Sequence, residues 1–419
     1  MDKKRILKDL FIYSSGNYIS QALGMLGGFL LRVFLTPYYM GIWQGLNIIK
    51  TYASYTNLGV SRSAAREIAY FRGKKDEAKS ELLKNVGFTF SVMMISLLGA
   101  GCIAFALIRR THINNYLFWG MIAIGVIVVL ERLESYIVTI LRAKKKFFAE
   151  SLVKVINSLV NLALILVIVR NFKLFGLYAA HILVFALSIA MLVSISRESF
   201  KLAMDGKELK HLVKIGVPLV LLGVMFVNLT NVDRIVILRM LGARELGLYS
   251  IAIMMGNAVF NIANMVGIVL YPRFQEIYGR NDSKEEVFNV MIKILKLLWL
   301  PLIVLVAAGV VFAPYLIRMF TPKYIAGITA MKIFICGMYF LSLSKFCNHF
   351  LITINKQMFA LYVCVTTVLI NLMLNIVFVK MGFGIKGVAV ATSISYFIYF
   401  LSLFTLSLVV RKGEKGVFA

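Results

Sequence analysis

The sequence predicts an all-α membrane protein that crosses the bilayer many times. Of the 419 residues, 60% are hydrophobic and only 16% are charged, whereas soluble domains are about 45–50% apolar and about 25% charged. The mean hydropathy is +0.85, and several long stretches contain almost no charged residue. These observations exclude a soluble enzyme, a disordered protein and a small disulfide-linked scaffold, because none of these could bury so much apolar surface.

Apolar runs predict twelve transmembrane helices, because a helix needs about 20 mostly apolar residues to cross the hydrocarbon core. Basic residues precede the first run, as in a signal peptide, but the run is too long for one, so we expect a retained helix. The predicted spans cover residues 10–35, 40–61, 86–108, 116–140, 152–170, 174–195, 213–240, 246–270, 288–312, 325–353, 357–379 and 386–410.

Lys and Arg are divided unequally between the two sides of the predicted spans. The termini and the loops on one side hold 27 of them, and the loops on the other side hold 10. The positive-inside rule therefore predicts that both termini are cytoplasmic. Most of the net charge of +27 is explained by this orientation and by contact with anionic lipids, so we expect no nucleic-acid partner.

All connections between the predicted spans are short, which leaves no room for a folded domain on either side of the membrane. A membrane glycosyltransferase or polymerase would need such a place for its carboxylates and its sugar donor. The four Cys and four His are scattered without the spacing of metal ligands or of a disulfide framework. We therefore expect no enzymatic activity and no metal or cofactor, and we place the function inside the helical bundle.

Two similar offsets indicate an internal repeat. A shift of 206 residues pairs Gly41, Ile42 and Trp43 with Gly247, Leu248 and Tyr249. A shift of 211 residues pairs Phe148, Ala149, Gly176 and Ala180 with Phe359, Ala360, Gly387 and Ala391. The sequence thus predicts two six-helix bundles, residues 1–205 and 206–419. Because each holds an even number of helices, the two bundles run in parallel sense around a central cavity.

Polar residues within the spans predict that this cavity is wet and cationic. A charge within a span is costly unless it faces a cavity or a partner, and the spans hold nine basic but only three acidic residues. A cavity of this sign attracts anions. We expect substrate-binding cations at Arg32, Lys50, Arg234, Lys332, Lys293 and Lys345. We expect uncharged cavity residues at Asn17, Gln21, Asn47, Asn57, Asn228, Asn231, Asn257 and Asn261.

Lys50 is the strongest of these candidates. It is predicted to lie about 15 Å deep within span 40–61, at 1.5 Å per residue, which is too deep to reach the interface easily. Snorkelling to the interface is an alternative for the basic residues nearer the ends of their spans, which are Arg32, Lys293, Lys296 and Lys345.

Three acidic residues, Asp233, Glu131 and Glu134, are candidates for coupling transport to an ion. For the two glutamates, salt bridges to loop lysines are the favoured interpretation. Two pairs of asparagines repeat at a spacing of four residues. The favoured interpretation of these pairs, Asn157 with Asn161 and Asn371 with Asn375, is helix packing. A place in the lining of the cavity is the alternative.

Several short motifs resemble those of bacterial polysaccharide flippases. In the first half they are the segment from Pro37 to Trp43, Leu58-Gly-Val-Ser, Ala65-Arg-Glu-Ile-Ala and Arg72-Gly. In the second half they are Asn231-Val-Asp-Arg-Ile, Leu241-Gly-Ala and Glu245-Leu-Gly-Leu-Tyr-Ser. The chain thus resembles, over nearly its full length, the O-antigen and capsule repeat-unit flippases of the multidrug/oligosaccharidyl-lipid/polysaccharide exporter superfamily. Lipid II flippases of that superfamily usually have fourteen spans, and the twelve predicted here count against that branch.

The resemblance implies two six-helix bundles around a cationic cavity in the bacterial cytoplasmic (inner) membrane. It also implies undecaprenyl-diphosphate-linked oligosaccharide as cargo, flipped to the outer leaflet by alternating access, with a glycan polymerase and chain-length proteins as candidate partners. Roles in lining the cavity carry over to Arg32, Lys50, Asp233 and Arg234. Two alternatives stay open: a cation or drug exporter of the same superfamily, and a membrane enzyme that polymerises or ligates glycans.

Overall fold

The computed structural model describes residues 3–144 and 146–411, in which all regular secondary structure is helical. A π-helical turn, Ile165–Val169, joins α6 to α7, and a 3-10 turn, Pro322–Gly327, precedes α11. The helices are α1 Lys3–Phe34, α2 Pro37–Ala53, α3 Val60–Gly73, α4 Glu77–Ile108, α5 Asn115–Ala143, α6 Phe147–Leu164, α7 Arg170–Ser196, α8 Gly206–Met240, α9 Ala243–Asn281, α10 Lys284–Phe320, α11 Ile328–Thr353, α12 Gln357–Lys380 and α13 Gly384–Arg411.

The predicted fold class is confirmed, and each predicted span overlaps at least one helix. In the described residues, eight helical stretches are long and apolar enough to cross a membrane, or nine if the bent helix α8 counts as one span. One of the eight, Phe147–Ser196, contains two predicted spans, and its backbone departs from helical geometry at Lys173. Helices α1 and α2 are not among the eight, so the count of twelve spans stays a prediction.

The predicted span 40–61 is wrong at its carboxyl end, because α2 ends at Ala53. Leu58 and Gly59 both have positive φ, 50° and 77°, which a helix cannot accommodate and which glycine adopts readily. The chain then starts a separate helix, α3, whose face of Val60, Ala64 and Ile68 is fully buried. In the second half, α9 runs without a break through the corresponding positions.

The chain divides into two compact units. Unit 1 comprises Met1–Leu35 and Gly45–Val224, and unit 2 comprises Thr36–Gln44 and Met225–Ala419. In unit 1, Tyr136 and Leu212 pack with the buried face of α3. In unit 2, α11 is the most deeply buried of the apolar stretches, and Phe334 of α11 packs on Tyr249 and Tyr396. The predicted division at residue 205 stays a prediction.

A close crossing of α2 and α9 within unit 2 repeats at the offset of 206 residues. A Cβ atom on Gly41 would lie 1.6 Å from the carbonyl oxygen of Ala243, and one on Gly247 would lie 1.6 Å from that of Pro37. Only glycine allows two backbones to approach so closely. The two contacts are equivalent, because Gly247 lies 206 positions after Gly41 and Ala243 lies 206 positions after Pro37. This equivalence supports the interpretation of the repeat.

Candidate functional site

A polar pocket of about 420 Å³ lies in unit 1 between α5, α6 and α7. On α5 and α6 the lining residues recur every three or four positions, so that each helix presents one polar face to the pocket. The polar and charged side chains that line it are Glu131, Arg132, Glu134, Ser135, Arg142, Glu150, Lys154, Asn157, Ser158, Asn161 and His181. Apolar residues close the same space, including Val153 and Leu192, which are buried.

The two glutamates of α5 pair with residues of the spans. Lys50 Nζ lies 3.6 Å from Glu131 Oε2, and Arg132 Nη2 donates to Glu131 Oε1 at 2.8 Å. Ser188 of α7 donates a hydrogen bond to Glu134. The expectation that Glu131 and Glu134 bridge to loop lysines is therefore wrong, because their partners Lys50, Arg132 and Ser188 all belong to helices.

The position of Lys50 differs from the prediction. It lies in the last turn of α2, because that helix ends three residues later, and not in the middle of a longer helix. A cation is favourable there, since the carboxyl-terminal end of a helix carries partial negative charge. Its side chain is 24% exposed and that of Glu131 is 18% exposed, so the pair is partly shielded from solvent.

A second set of charges lines the same pocket from the last turn of α5 and from α6. Arg142 donates two hydrogen bonds to Glu150, at 2.9 and 2.5 Å, and Glu150 is only 4% exposed. Lys154 donates to the side-chain oxygen of Asn17 on α1. The pocket thus contains three carboxylates and three bases, and its sign is mixed. The predicted central cavity with an excess of cations stays a prediction.

The structure gives the two asparagine pairs different roles. Asn371 and Asn375 of α12 are fully buried, and Asn375 donates to Asn371 at 2.7 Å. They pack helices, as predicted. The same interpretation is wrong for Asn157 and Asn161, which line the pocket. The side-chain oxygen of Asn157 is buried and has no hydrogen-bond partner among the described residues.

The remaining predicted residues of unit 1 do not line this pocket. Arg32 is 3% exposed and donates to the carbonyl oxygen of Gly28 in its own helix, at 2.6 Å. Gln21 and Asn47 are partly buried. Asn57 lies beyond the end of α2, so its predicted place on that helix is wrong. It accepts from the backbone N–H of Gly59 at 3.2 Å, which stabilises the turn into α3.

In unit 2, Asp233 of α8 is buried with 1% exposure. Its carboxylate accepts from the Tyr249 hydroxyl at 3.0 Å and from the backbone N–H of Arg234 at 2.7 Å. Asp233 therefore joins α8 to α9 within the packed interior. Arg234 is partly buried, and Asn231 is 3% exposed and donates to the carbonyl oxygen of Val227 at 2.8 Å.

Lys345 also makes polar contacts within unit 2. Its ammonium group donates to Asn264 of α9 and lies 5.4 Å from the ring centroid of Phe260. His349, one turn along α11, packs against Tyr271 with 4.8 Å between ring centroids. The other predicted residues differ in exposure: Lys293, Lys332 and Asn257 are exposed, and Asn228 and Asn261 are partly buried.

The structure therefore brings together Asn17, Lys50, Glu131 and Glu134 from the predicted set, all in unit 1. Sequence reasoning missed Arg142, Glu150 and Ser188 because they lie at span ends or are uncharged. It also left Lys154 out of the site, although its spacing from Asn157 and Asn161, at three and seven positions, marks one helix face.

Comparison with known proteins identifies both the family and the fold. The family model described as "Polysaccharide biosynthesis protein" matches residues 6–278, which is more than half of the chain. The resemblance found in the sequence is confirmed by this match. No curated protein sequence matches the chain significantly.

Solved structures of transporters match nearly the whole chain at low identity. An inward-facing multidrug-resistance transporter of the MATE family and MOP superfamily has a TM-score of 0.74 and 15% identity, over 94% of this chain and 96% of that chain. A MOP superfamily transporter from Pyrococcus furiosus, whose binding pocket is described as reversed in polarity, has a TM-score of 0.66 and 15% identity, over 98% and 97%. The lipid II flippase MurJ has a TM-score of 0.71 and 17% identity, over 94% and 87%. The chain thus has the fold of these transporters.

Proposed function

Because the chain belongs to the polysaccharide biosynthesis protein family, we propose that it is a flippase for lipid-linked oligosaccharides. Its cargo is a glycan repeat unit on undecaprenyl diphosphate, destined for a surface polysaccharide such as O-antigen or capsule. It moves this cargo from the cytoplasmic to the outer leaflet of the bacterial inner membrane by alternating access. A glycan polymerase and chain-length proteins would then receive the unit.

The unpartnered oxygen of Asn157 carries this proposal. A buried acceptor without a donor is costly, and it lies in the pocket beside the amide of Asn161 and the hydroxyl of Ser158. Sugar hydroxyls both donate and accept hydrogen bonds, so a glycan satisfies such a surface. Lys154 and Arg132, in the same pocket, add donors of the kind that bind phosphate.

The mixed sign of the pocket supports a coupled mechanism. Glu131 forms ion pairs with Lys50 and Arg132. A diphosphate must therefore compete with the Glu131 carboxylate for these two basic side chains. Proton uptake by Glu131 or Glu134 would release the bases to the cargo, and loss of the proton would return them. The inside-negative potential would assist export of the anion, by about 2.3 kcal/mol per charge per 100 mV. In unit 2, Arg234 and Lys345 are the proposed cation sites, and Asp233 is a further coupling candidate.

The test replaces the chromosomal gene with variants and measures surface glycan at matched protein level. Lys50→Ala is expected to reduce surface glycan, and Lys50→Glu to reduce it further because it places a second carboxylate beside Glu131. Asn157→Ala removes the unpartnered acceptor and should also reduce it. Lys380→Ala, at an exposed position at the end of α12, is the control. Normal glycan in the Lys50 and Asn157 variants would contradict the proposal.

A cation or drug exporter is the second candidate, because three carboxylates line the pocket. The two glutamates at its ends, Glu131 and Glu150, already pair with bases, which leaves less negative charge for an organic cation. A deletion strain distinguishes the possibilities. Sensitivity to cationic dyes without loss of glycan would favour the exporter, and lipid-linked units retained on the cytoplasmic face would favour the flippase. Unpolymerised units on the outer face would instead favour a polymerase or ligase.

A further inference from the structure

Unit 2 has an apolar groove on a face made by α10, α11 and α13. Its volume is about 700 Å³, within the range of about 300–1,000 Å³ that is usual for sites of small ligands. Aliphatic side chains form part of the wall. The polar and aromatic residues that line it are Lys296, Trp299, Tyr339, Phe340, Phe400 and Phe404. The groove is remote in sequence from the unit 1 pocket and shares no residue with it.

Aromatic contacts form one wall of the groove. The rings of Phe400 and Phe404 stack one helical turn apart, with 5.8 Å between centroids. The ring of Phe340 lies 6.2 Å from that of Phe400, which joins α11 to α13. Trp299 on α10 is 49% exposed. Helices α10, α11 and α13 all belong to stretches that are long and apolar enough to cross a membrane. We therefore expect the exposed surface of this groove to face lipid chains.

Lys296 is the one charged side chain that lines the groove, and no carboxylate is among its lining residues in the described part of the chain. It lies eight residues into the predicted span 288–312, about 12 Å at 1.5 Å per residue. Near the start of the same helix the charges pair within the protein, since Arg411 of α13 lies 3.5 Å from Glu285. The Lys296 side chain is exposed and long enough to extend towards the interface, where a lipid phosphate is an anion that membranes supply.

We propose that this groove binds an anionic phospholipid, with one acyl chain along the aromatic wall and the phosphate at Lys296. The aromatic rings provide a rigid apolar surface for the chain, and the ammonium group selects the negative headgroup. The site is independent of the flippase proposal, because it uses none of the residues assigned to the cargo.

Native mass spectrometry of the full-length protein, titrated with phosphatidylglycerol or phosphatidylcholine, tests the proposal. Wild type is expected to bind phosphatidylglycerol more tightly than phosphatidylcholine. Lys296→Gln should bind phosphatidylglycerol about tenfold more weakly, because one charge-assisted contact is lost, whereas Lys296→Arg should retain binding. The control Lys380→Gln removes an exposed lysine from another helix and should leave binding unchanged.

A second variant tests the groove itself. Ile292→Trp fills the groove from α10 while it leaves Lys296 in place, and it should also weaken binding of phosphatidylglycerol. The proposal is overturned if Lys296→Gln or Ile292→Trp binds this lipid as wild type does, or if wild type binds both lipids equally. If Lys296→Gln is not recovered as a monodisperse protein, the comparison of Ile292→Trp with Lys380→Gln decides the question.

Discussion

Lys50 Nζ lies 3.6 Å from Glu131 Oε2, which links the last turn of α2 to α5. The same carboxylate accepts a hydrogen bond from Arg132 through its other oxygen. The Glu131 carboxylate therefore pairs with two basic side chains beside the polar pocket. Because the side chains are partly buried, neither base nor acid is fully screened by solvent. The charge state of Glu131 should thus control both stability and transport.

Exchange of the charges at positions 50 and 131 tests whether the protein needs opposite charges at this contact or the particular side chain at each position. Lys50→Glu places two carboxylates together and should abolish surface glycan, whereas the double variant Lys50→Glu with Glu131→Lys restores opposite charges. We expect the double variant to recover thermal stability by about 1–2 kcal/mol relative to Lys50→Glu, as is typical of coupled neighbouring residues. Unfolding of the purified proteins and surface glycan are measured together. Additive effects of the two substitutions would show that the contact is not energetically coupled.

The crossing of α2 and α9 should not tolerate a side chain. Gly41→Ala and Gly247→Ala each place a Cβ atom 1.6 Å from a backbone oxygen, so the helices must separate. We expect little folded protein from either variant, with a loss of stability of several kcal/mol or more, beyond the usual range of about 0.5–3 kcal/mol. Gly24→Ala is the matched control, because within the described part of the chain no atom outside the adjacent backbone of its own helix lies within 4 Å of the added Cβ. Normal yield and thermal stability of Gly41→Ala would contradict the close crossing.

An ion-pair cluster between the loops after α5 and α7 should make stability depend on pH. Burial raises the pKa of Glu198, but hydrogen bonds and charge from Lys144 and Lys146 outweigh this effect and hold it below its usual value of 4.5. Burial likewise lowers the pKa of Lys144, but hydrogen bonds and charge from Glu198 and Glu81 raise it above 10.5. The carboxylate's stabilisation is lost as pH falls through its lowered pKa, and the lysine's is lost as pH rises through its raised pKa.

The difference in melting temperature between wild type and Glu198→Gln should therefore be constant between about pH 5 and pH 10 and should shrink outside this range. Glu276→Gln is the control, since Glu276 is 67% exposed and its ion pair with Arg280 is exposed too. Thermal unfolding followed across the pH range provides the measurement. A difference that vanishes near pH 7 would show that the cluster does not stabilise the protein.

The two asparagine pairs should respond differently to substitution. Asn371→Ala removes the acceptor of Asn375 in a fully buried position, which should destabilise the protein by about 1–3 kcal/mol. Asn157→Ala removes an acceptor that has no partner among the described residues, so it should leave stability unchanged or raised while it reduces transport. Thermal unfolding and surface glycan separate the two effects. Equal destabilisation by both variants would argue against a cargo role for Asn157.

Particular residues show how far the sequence could predict the site. Lys50 and Glu131 were each predicted from the cost of a charge in a span, and they do lie together. Their partnership was not predicted, because residues 81 positions apart meet only through packing of helices. Asn157 and Asn371 have the same residue type and the same spacing to a second asparagine, so periodicity could not distinguish the pocket residue from the packing residue.

The sequence by itself determined that this protein is helical and spans a membrane repeatedly, and it indicated the family, because apolar run length and short motifs are local properties. Only the tertiary structure decided that α2 ends at Ala53, that Asp233 is buried against Tyr249, and that carboxylates neutralise bases in the unit 1 pocket. These features depend on which helix faces meet, and the free energy of a buried charge depends on the neighbour it meets there.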